Sequence, residues 1–213
     1  MTKILLVRHG ESTANLQNVF AGHYDPELTE LGHRQAECTA HFLLENYAID
    51  AIYSSDLHRA YDTGRHFGDK AGLSITADRR LREIYAGAWE EKTFAAVEET
   101  YHADWVRWQN DPANAVCTDG ESIRQLADRV TAALTEIAKE NEGKTVLVTS
   151  HATPVKVAMW QALGGAPETL KSLPWVSNAS VTELLWDGKC FSLGKVSQDA
   201  HLAQMRTVLN INI

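Results

Sequence analysis

Two arginines and two histidines stand where apolar runs have just ended. Lys3-Ile4-Leu5-Leu6-Val7 leads into Arg8-His9-Gly10-Glu11, and Ile52-Tyr53 leads into Ser54-Ser55-Asp56-Leu57-His58-Arg59. Thr145 to Thr149 leads into Ser150-His151. A guanidinium offers a rigid fork of donors matched to phosphate, and a neutral imidazole nitrogen can attack phosphorus. Gly10 allows a sharp turn or a close backbone approach. In a parallel sheet the carboxyl ends of strands share one rim, where open α/β folds hold their ligands. Arg8, His9, Arg59 and His151 can therefore converge. Such a cluster is costly with no anion among its members. A phosphoryl group is its natural partner, because ionised oxygens form the short, strong hydrogen bonds. Taken alone, the Arg8-His9 junction also fits a strand that merely ends in polar residues.

The elements that must position these groups follow from patterning. Ile4–Val7 is expected as a buried strand. Thr29 is the expected N-cap of a helix to about Glu45, with apolar positions at Leu31, Ala36, Ala40, Phe42 and Leu43. Ile49–Tyr53 is a second strand, Leu57–Ala71 a helix closed by Gly72, and Leu73–Thr76 a third strand. From Leu81 to about Ser122 the alternation breaks, and six aromatics (Tyr85, Trp89, Phe94, Tyr101, Trp105, Trp108) lie among many acidic residues. That stretch is expected as a helical excursion over one end of the sheet. A helix from Ser122 to Asn141 and a strand from Thr145 to Thr149 come next. A helix from Thr153 to Leu163 follows, and a final strand pair, Val181–Trp186 and Phe191–Val196, turns at Asp187-Gly188. The expected fold is α/β, a mostly parallel central sheet flanked by helices on both faces. A single domain over 1–213 with a helical lid insertion at about 84–121 is the economical organisation.

Bulk properties narrow the function classes. A chain of 213 residues with 44% hydrophobic and 23% charged residues can bury a substantial core. A net charge of −8 argues against a nucleic-acid surface, yet a local Arg/His cluster can still bind a small anion. Cys38, Cys117 and Cys190 are far apart, with neither metal spacing nor a disulfide framework, which suits a reducing cytosol. The apolar run before Arg8 is too short for a signal-peptide core, and no later stretch is long enough to span a membrane. The expectation is a cytoplasmic protein with no nucleic-acid or membrane partner. Oligomeric state is open, a homo-oligomer included.

The constellation also matches a known family. Arg8-His9-Gly10-Glu11-Ser12 with Asn15, Leu28-Thr29-Glu30-Leu31-Gly32 with Gln35-Ala36, and Ser54-Ser55-Asp56-Leu57-His58-Arg59-Ala60 with Thr63 form three blocks. Leu81-Arg82-Glu83-Ile84 with Gly87, Trp89 and Glu90 forms a fourth, and Ser150-His151 a fifth. In this order they resemble the phosphoglycerate mutase-like branch of the histidine phosphatase superfamily. The resemblance implies that His9 is the nucleophile that becomes phosphohistidine. It implies that Arg8, Arg59 and His151 form the phosphate pocket with Asn15 as a further donor, and that Glu83 is the general acid and base. Nearby arginines would keep His9 neutral, as an attacking nitrogen must be. Fixed cations would stabilise the phosphoryl group in flight, so neither a metal nor another cofactor is expected. The segment from Phe20 to Asp25 resembles the substrate entrance, which makes Gly22 a candidate contact. Ser12 and Asn15 could equally cap the following segment, or do both.

Two departures from the pattern stand out. Ala152-Thr153-Pro154 follows His151 where the family usually has a glycine, so Ala152 and Thr153 become candidate substrate contacts at a helix N-terminus suited to an anion. Glu91 stands where glycine commonly follows the Trp-Glu pair. The branch contains both hydrolases and isomerases. The lid holds only Lys92 and Arg107 as cations, which favours a phosphatase on a small, less anionic or partly apolar phosphate ester over a phosphoglycerate mutase. A catalytically silent phosphate-binding module is a third alternative, opposed by the presence of His9 and Glu83.

Overall fold

The computed structural model describes residues 1–208. In chain order its elements are β1 (Thr2–Arg8), α1 (Thr13–Gln17), α2 (Glu30–Asn46), β2 (Ala51–Ser54), α3 (His58–Ala71) and β3 (Ile75–Ala77). Then come α4 (Phe94–Thr100), α5 (His102–Asn110), α6 (Ile123–Glu140), β4 (Thr145–Ser150), α7 (Ala152–Ala162), α8 (Pro167–Ser172), β5 (Val181–Trp186) and β6 (Phe191–Leu193). The strands form one sheet in the order β3-β2-β4-β1-β5-β6. β3, β2, β4 and β1 run parallel, β5 pairs antiparallel with β1, and β6 antiparallel with β5.

β1 shows why the sheet is covered on both sides. Ile4 and Leu6 pack into the core that contains α6 and α7, while Leu5 and Val7 pack with Ala40, Leu43 and Phe67 of α2 and α3. Both faces being apolar, the strand is a continuous hydrophobic run instead of an alternating one. α7 is buried along Ala152–Trp160 and carries apolar side chains all round, as a helix enclosed by other elements must. α6 begins at a capping box in which Ser122 and Gln125 satisfy each other's backbone N–H groups. Register then aligns the functional ends, pairing Arg8 with Ser150 and Ser54 with Thr149.

The segment between β3 and α6 holds α4, α5 and short 3-10 turns at Arg79–Leu81, Gly87–Trp89 and Pro112–Asn114. Trp89, Trp105 and Trp108 are buried there. Phe20, from the loop after α1, meets Phe94 edge-on at 4.8 Å and Trp89 at 5.2 Å between centroids. This aromatic cluster fixes the excursion against the rim; truncating a buried tryptophan to alanine typically costs about 3–5 kcal/mol.

Some expectations shift. α1 and α8 were not expected from the sequence: five- and six-residue helices carry too little periodicity to be seen. β2 begins at Ala51 and not at Ile49, β3 covers Ile75–Ala77, and β6 stops at Leu193, short of Val196. Leu57 is the N-cap of α3, and α7 starts at Ala152, one residue earlier than expected, with His151 as N-cap. Among the described residues no helix is long and apolar enough to cross a membrane.

Candidate active site

Four elements deliver titratable groups to the carboxyl rim of the sheet. Arg8 ends β1, Arg59 lies in the first turn of α3, Glu83 follows the turn at Arg79–Leu81, and His151 caps α7. Gly10 and Gly32 face each other so closely that a Cβ on Gly10 would collide with the Gly32 carbonyl. The Gly10 N–H donates to Thr63 Oγ1 (3.0 Å), which donates to the Arg59 carbonyl (2.8 Å). The loop after β1 is thereby tied to α3, fixing His9 relative to Arg59.

His9 is 4% exposed and His151 is fully buried, with the rings edge to face at 5.2 Å. His9 Nδ1 sits 2.6 Å from the Gly10 carbonyl. A carbonyl only accepts, so Nδ1 carries the proton and Nε2 holds the lone pair. Burial first, then the charges of Arg59 and Arg8, holds His9 well below the usual histidine range. His151 is lowered in the same direction by burial, then by Arg59 and His9. His151 Nε2 lies 2.8 Å from Ser55 Oγ. Among the described residues the Ser55 hydroxyl proton has no other acceptor, so it goes to Nε2, leaving the ring proton on Nδ1.

The arginines are anchored but not saturated. Arg8 donates from Nη1 to the Val176 carbonyl (2.7 Å). Arg59 donates from Nη2 to the Gly22 carbonyl (2.8 Å) and from Nη1 to the Tyr24 carbonyl (3.0 Å). Gly22 has φ of 54°, a left-handed conformation that glycine adopts freely. Burial lowers Arg8 to about 10, still cationic at neutral pH, and Arg59 shifts the same way. Among the described residues three N–H groups of the residues around His9 have no acceptor: Arg8 Nε, Arg59 Nε and His151 Nδ1. A buried donor left unpaired costs about 1–3 kcal/mol, so this cluster is built for an oxyanion with several acceptor oxygens.

Glu83 is half-buried. Its Oε1 accepts from the Ile84 N–H (2.8 Å) and its Oε2 lies 3.4 Å from the Thr153 N–H in the first turn of α7. The backbone beneath it is clamped by Arg129 of α6. Arg129 Nη1 donates to the carbonyls of Arg80 and Arg82, and Nη2 to that of Glu83, each at 2.8 Å. The same guanidinium forks onto Glu121 at 2.7 and 2.8 Å. His23 Nε2 also reaches the Glu83 carbonyl at 3.0 Å.

A cavity open to solvent is lined by Arg8, His9, Ser12, Asn15, Gly22, Arg59, Glu83, Ala152 and Thr153, with Phe20, Phe94, Trp108 and Trp175 as aromatic walls. His151 lies against the His9 ring behind it. Ser12 N-caps α1 and forms a capping box with Asn15. Asn15 Oδ1 accepts from the Ser12 N–H and from Asn178 Nδ2 at 3.1 Å each, which directs its Nδ2 away from both, so capping and cavity lining coexist. Glu91 adopts φ of 61°, a left-handed conformation that favours the glycine expected there. Among the described residues no group of three or more His, Cys, Asp or Glu side chains is arranged to hold a metal ion.

Comparison with known proteins now decides the family. The family model for the histidine phosphatase superfamily (branch 1) matches residues 4–199. The chain belongs to this superfamily. Phosphoserine phosphatase 1 of Hydrogenobacter thermophilus is 36% identical over 165 residues, covering 78% of this chain and 77% of the relative. Glucosyl-3-phosphoglycerate phosphatase of Mycobacterium tuberculosis is 31% identical over 205 residues, covering 86% and 91%. The solved structure of YhfR from Bacillus stearothermophilus superposes with a TM-score of 0.90 at 29% identity, over 95% of this chain and all of that one. The chain also spans 55% of the length of the longer Bifunctional protein Rv2228c of M. tuberculosis, to which it is 35% identical. This histidine phosphatase is thus an enzyme of the phosphatase type. Sequence reasoning missed Arg129 and Asn178, and treated Ser55 as merely structural. None carries a local signal, because the contact each makes to Glu83, His9 or His151 spans more than 40 residues of sequence.

Proposed function

We propose that this histidine phosphatase hydrolyses a small, partly apolar phosphate monoester through a phosphohistidine on His9. The three unpartnered N–H groups of Arg8, Arg59 and His151 beside the His9 lone pair carry the reading. The Nε2 lone pair of His9 attacks phosphorus in line with the P–O bond to the leaving alcohol. As that bond breaks, Glu83 in its acid form gives its proton to the leaving oxygen. Arg8, Arg59 and His151 hold the three equatorial oxygens, where negative charge is spread. Water then attacks phosphorus, Glu83 takes back a proton, the P–N bond breaks, and inorganic phosphate leaves with His9 restored. Asn15 contributes its Nδ2, Ser12 and Gly22 shape the entrance, and Ala152 and Thr153 bring the N-terminus of α7 to the phosphate. Side-chain cations supply the positive charge, so neither a metal nor a cofactor has a step.

The surroundings support hydrolysis over isomerisation. The 84–121 excursion acts as a lid on a single domain over 1–213, and its only cations are Lys92 and Arg107. A mutase needs additional cations for a second acidic group close to the transferred phosphate, and the cations lining the catalytic cavity are Arg8 and Arg59, which hold the phosphate itself. The aromatic walls suit an apolar leaving portion. The relatives named as phosphatases of phosphoserine and of glucosyl-3-phosphoglycerate support a small-metabolite substrate. The protein acts in the cytoplasm without a nucleic-acid or membrane partner. Acid-labile, base-stable phosphate trapped during turnover of 4-nitrophenyl phosphate, absent in His9→Ala, is the expected result. Turnover by His9→Ala at the parental rate would remove His9 from the reaction.

A further inference from the structure

A second, narrower cavity adjoins the catalytic one and shares Trp108, Thr153 and Trp175 with it. Its lining is mostly apolar, with Pro112, Ile123, Val157 and Leu170 among the walls. Gln109, Thr153 and two lysines break that pattern. Lys156 of α7 is only 4% exposed and lies 4.1 Å over the Trp175 ring, and Lys171 stands exposed at the rim. Lys171 contacts Asn110 Oδ1 at 3.4 Å. Among the described residues Lys156 has neither an ion pair nor a hydrogen bond, and no carboxylate lines this cavity. The indole N–H groups of Trp108 and Trp175 are likewise buried and unpartnered. Both charged groups of this lining are cations, in a chain whose net charge is −8, and its other polar side chains are the Gln109 amide and the Thr153 hydroxyl.

A buried ammonium without a counter-ion is expensive. Burial lowers Lys156 to about 8, while the tryptophan face returns part of the lost hydration. A structural role alone would be met more cheaply by methionine or leucine in this apolar setting. A carboxylate brought in by a ligand would complete the site, since the Lys156 ammonium would gain an anionic acceptor.

Resting on the phosphatase reading above, we propose that this second cavity binds a carboxylate at the far end of the substrate's leaving portion, with Lys156 as its main contact and Lys171 guiding it at the rim. The substrate class is then a phosphorylated hydroxy acid: phosphate in the His9 cage, an apolar spacer along Trp108 and Trp175, and an acid terminus on Lys156. Specificity for this class follows from charge pairing in a mostly apolar pocket, where an analogue without the acid leaves the ammonium unpaired.

Two matched series test it: n-alkyl phosphates and ω-phosphooxy carboxylates of three to eight carbons, with kcat/KM measured for each. The acid series is expected to win by about 10-fold or more at the spacer length that bridges the two cavities, and less at shorter and longer lengths. In Lys156→Met the preference should collapse to within about 2-fold, with Lys156→Arg retaining part of it and Lys171→Met losing a smaller part. Thermal unfolding and the alkyl series, read in the same variants, separate a folding defect from lost recognition, because the ratio between series is independent of the folded fraction. Equal kcat/KM for both series at every length, or a preference that survives in Lys156→Met, would overturn the subsite. Absence of hydrolysis in both series would instead sink the phosphatase reading on which it rests.

Discussion

Replacing Arg129 by methionine tests whether the proton donor depends on a clamp beneath its backbone. Methionine keeps the apolar stem of the side chain and removes the guanidinium. The carbonyls of Arg80, Arg82 and Glu83 each lose a charged donor at 2.8 Å, and Glu121 loses a two-pronged partner. Arg129 and Glu121 are 21% and 14% exposed, so solvent replaces these contacts poorly. Breaking such a pair costs about 3–5 kcal/mol. At roughly 2–4 °C per kcal/mol for a chain of this size, Tm should fall by about 10 °C. The catalytic consequence is separate. General acid catalysis is worth about 10²–10⁴ in rate, and a displacement of about 1 Å can forfeit about 10² of it. An alkyl phosphate, whose leaving oxygen must be protonated, should lose about 30–100-fold in kcat. 4-Nitrophenyl phosphate, whose leaving group departs as an anion, should lose less than about 5-fold. Steady-state assays on both substrates, well below the Tm of the variant, separate the two effects. Arg129→Lys, with the charge but without the fork, should fall between. An equal loss on both substrates would show that Arg129 serves the fold alone and refute the positioning argument.

Three further outcomes are expected. His9 and His151 exclude protons in the folded state, whereas both bind them near pH 6.5 when unfolded, so stability is full above about pH 7 and declines on acidification toward their lowered folded values. Together they should account for up to about 3 kcal/mol between pH 7.5 and 5.5, and thermal melts of a His9→Gln, His151→Gln double variant should show a correspondingly flatter slope. Ser55→Ala leaves His151 Nε2 without its donor and frees the ring to change tautomer; inorganic phosphate or vanadate should bind about 10-fold more weakly, and unchanged inhibition would remove Ser55 from the site. Glu91→Gly relieves a left-handed residue that costs on the order of 1 kcal/mol, so Tm should rise by a few degrees, and a lower Tm would contradict the strain argument.

The parts that were legible in the sequence are those governed by local chemistry. The apolar run of β1, the Thr29 cap of α2 and the amphipathic pattern of α6 announce themselves within a few residues. The departure at Glu91 was visible as a missing glycine, and its positive φ explains why glycine suits that position. The short α1 and α8 were illegible because fewer than two helical turns leave no period to detect. Arg129 was illegible for another reason: three of its acceptors are backbone carbonyls, which every residue possesses, so no side-chain pattern marks it.

By itself the sequence determined which chemistry was at hand: an imidazole nucleophile, two guanidiniums and a carboxylic acid, set at the ends of strands and turns. Side-chain identity and strand endings are local properties, and parallel topology brings such endings to one rim. Only the tertiary structure decided how those groups are poised. The Gly10 carbonyl selects the nucleophilic nitrogen of His9, Ser55 selects the donor nitrogen of His151, and Arg129 fixes the backbone of Glu83. It also placed an unpaired Lys156 beside the catalytic cavity, where charge, burial and the lack of a partner act together. Apart from the His9–Gly10 contact, which joins neighbours in sequence, these arrangements depend on groups distant in sequence meeting within about 3–4 Å, and such proximity exists only once the chain has packed.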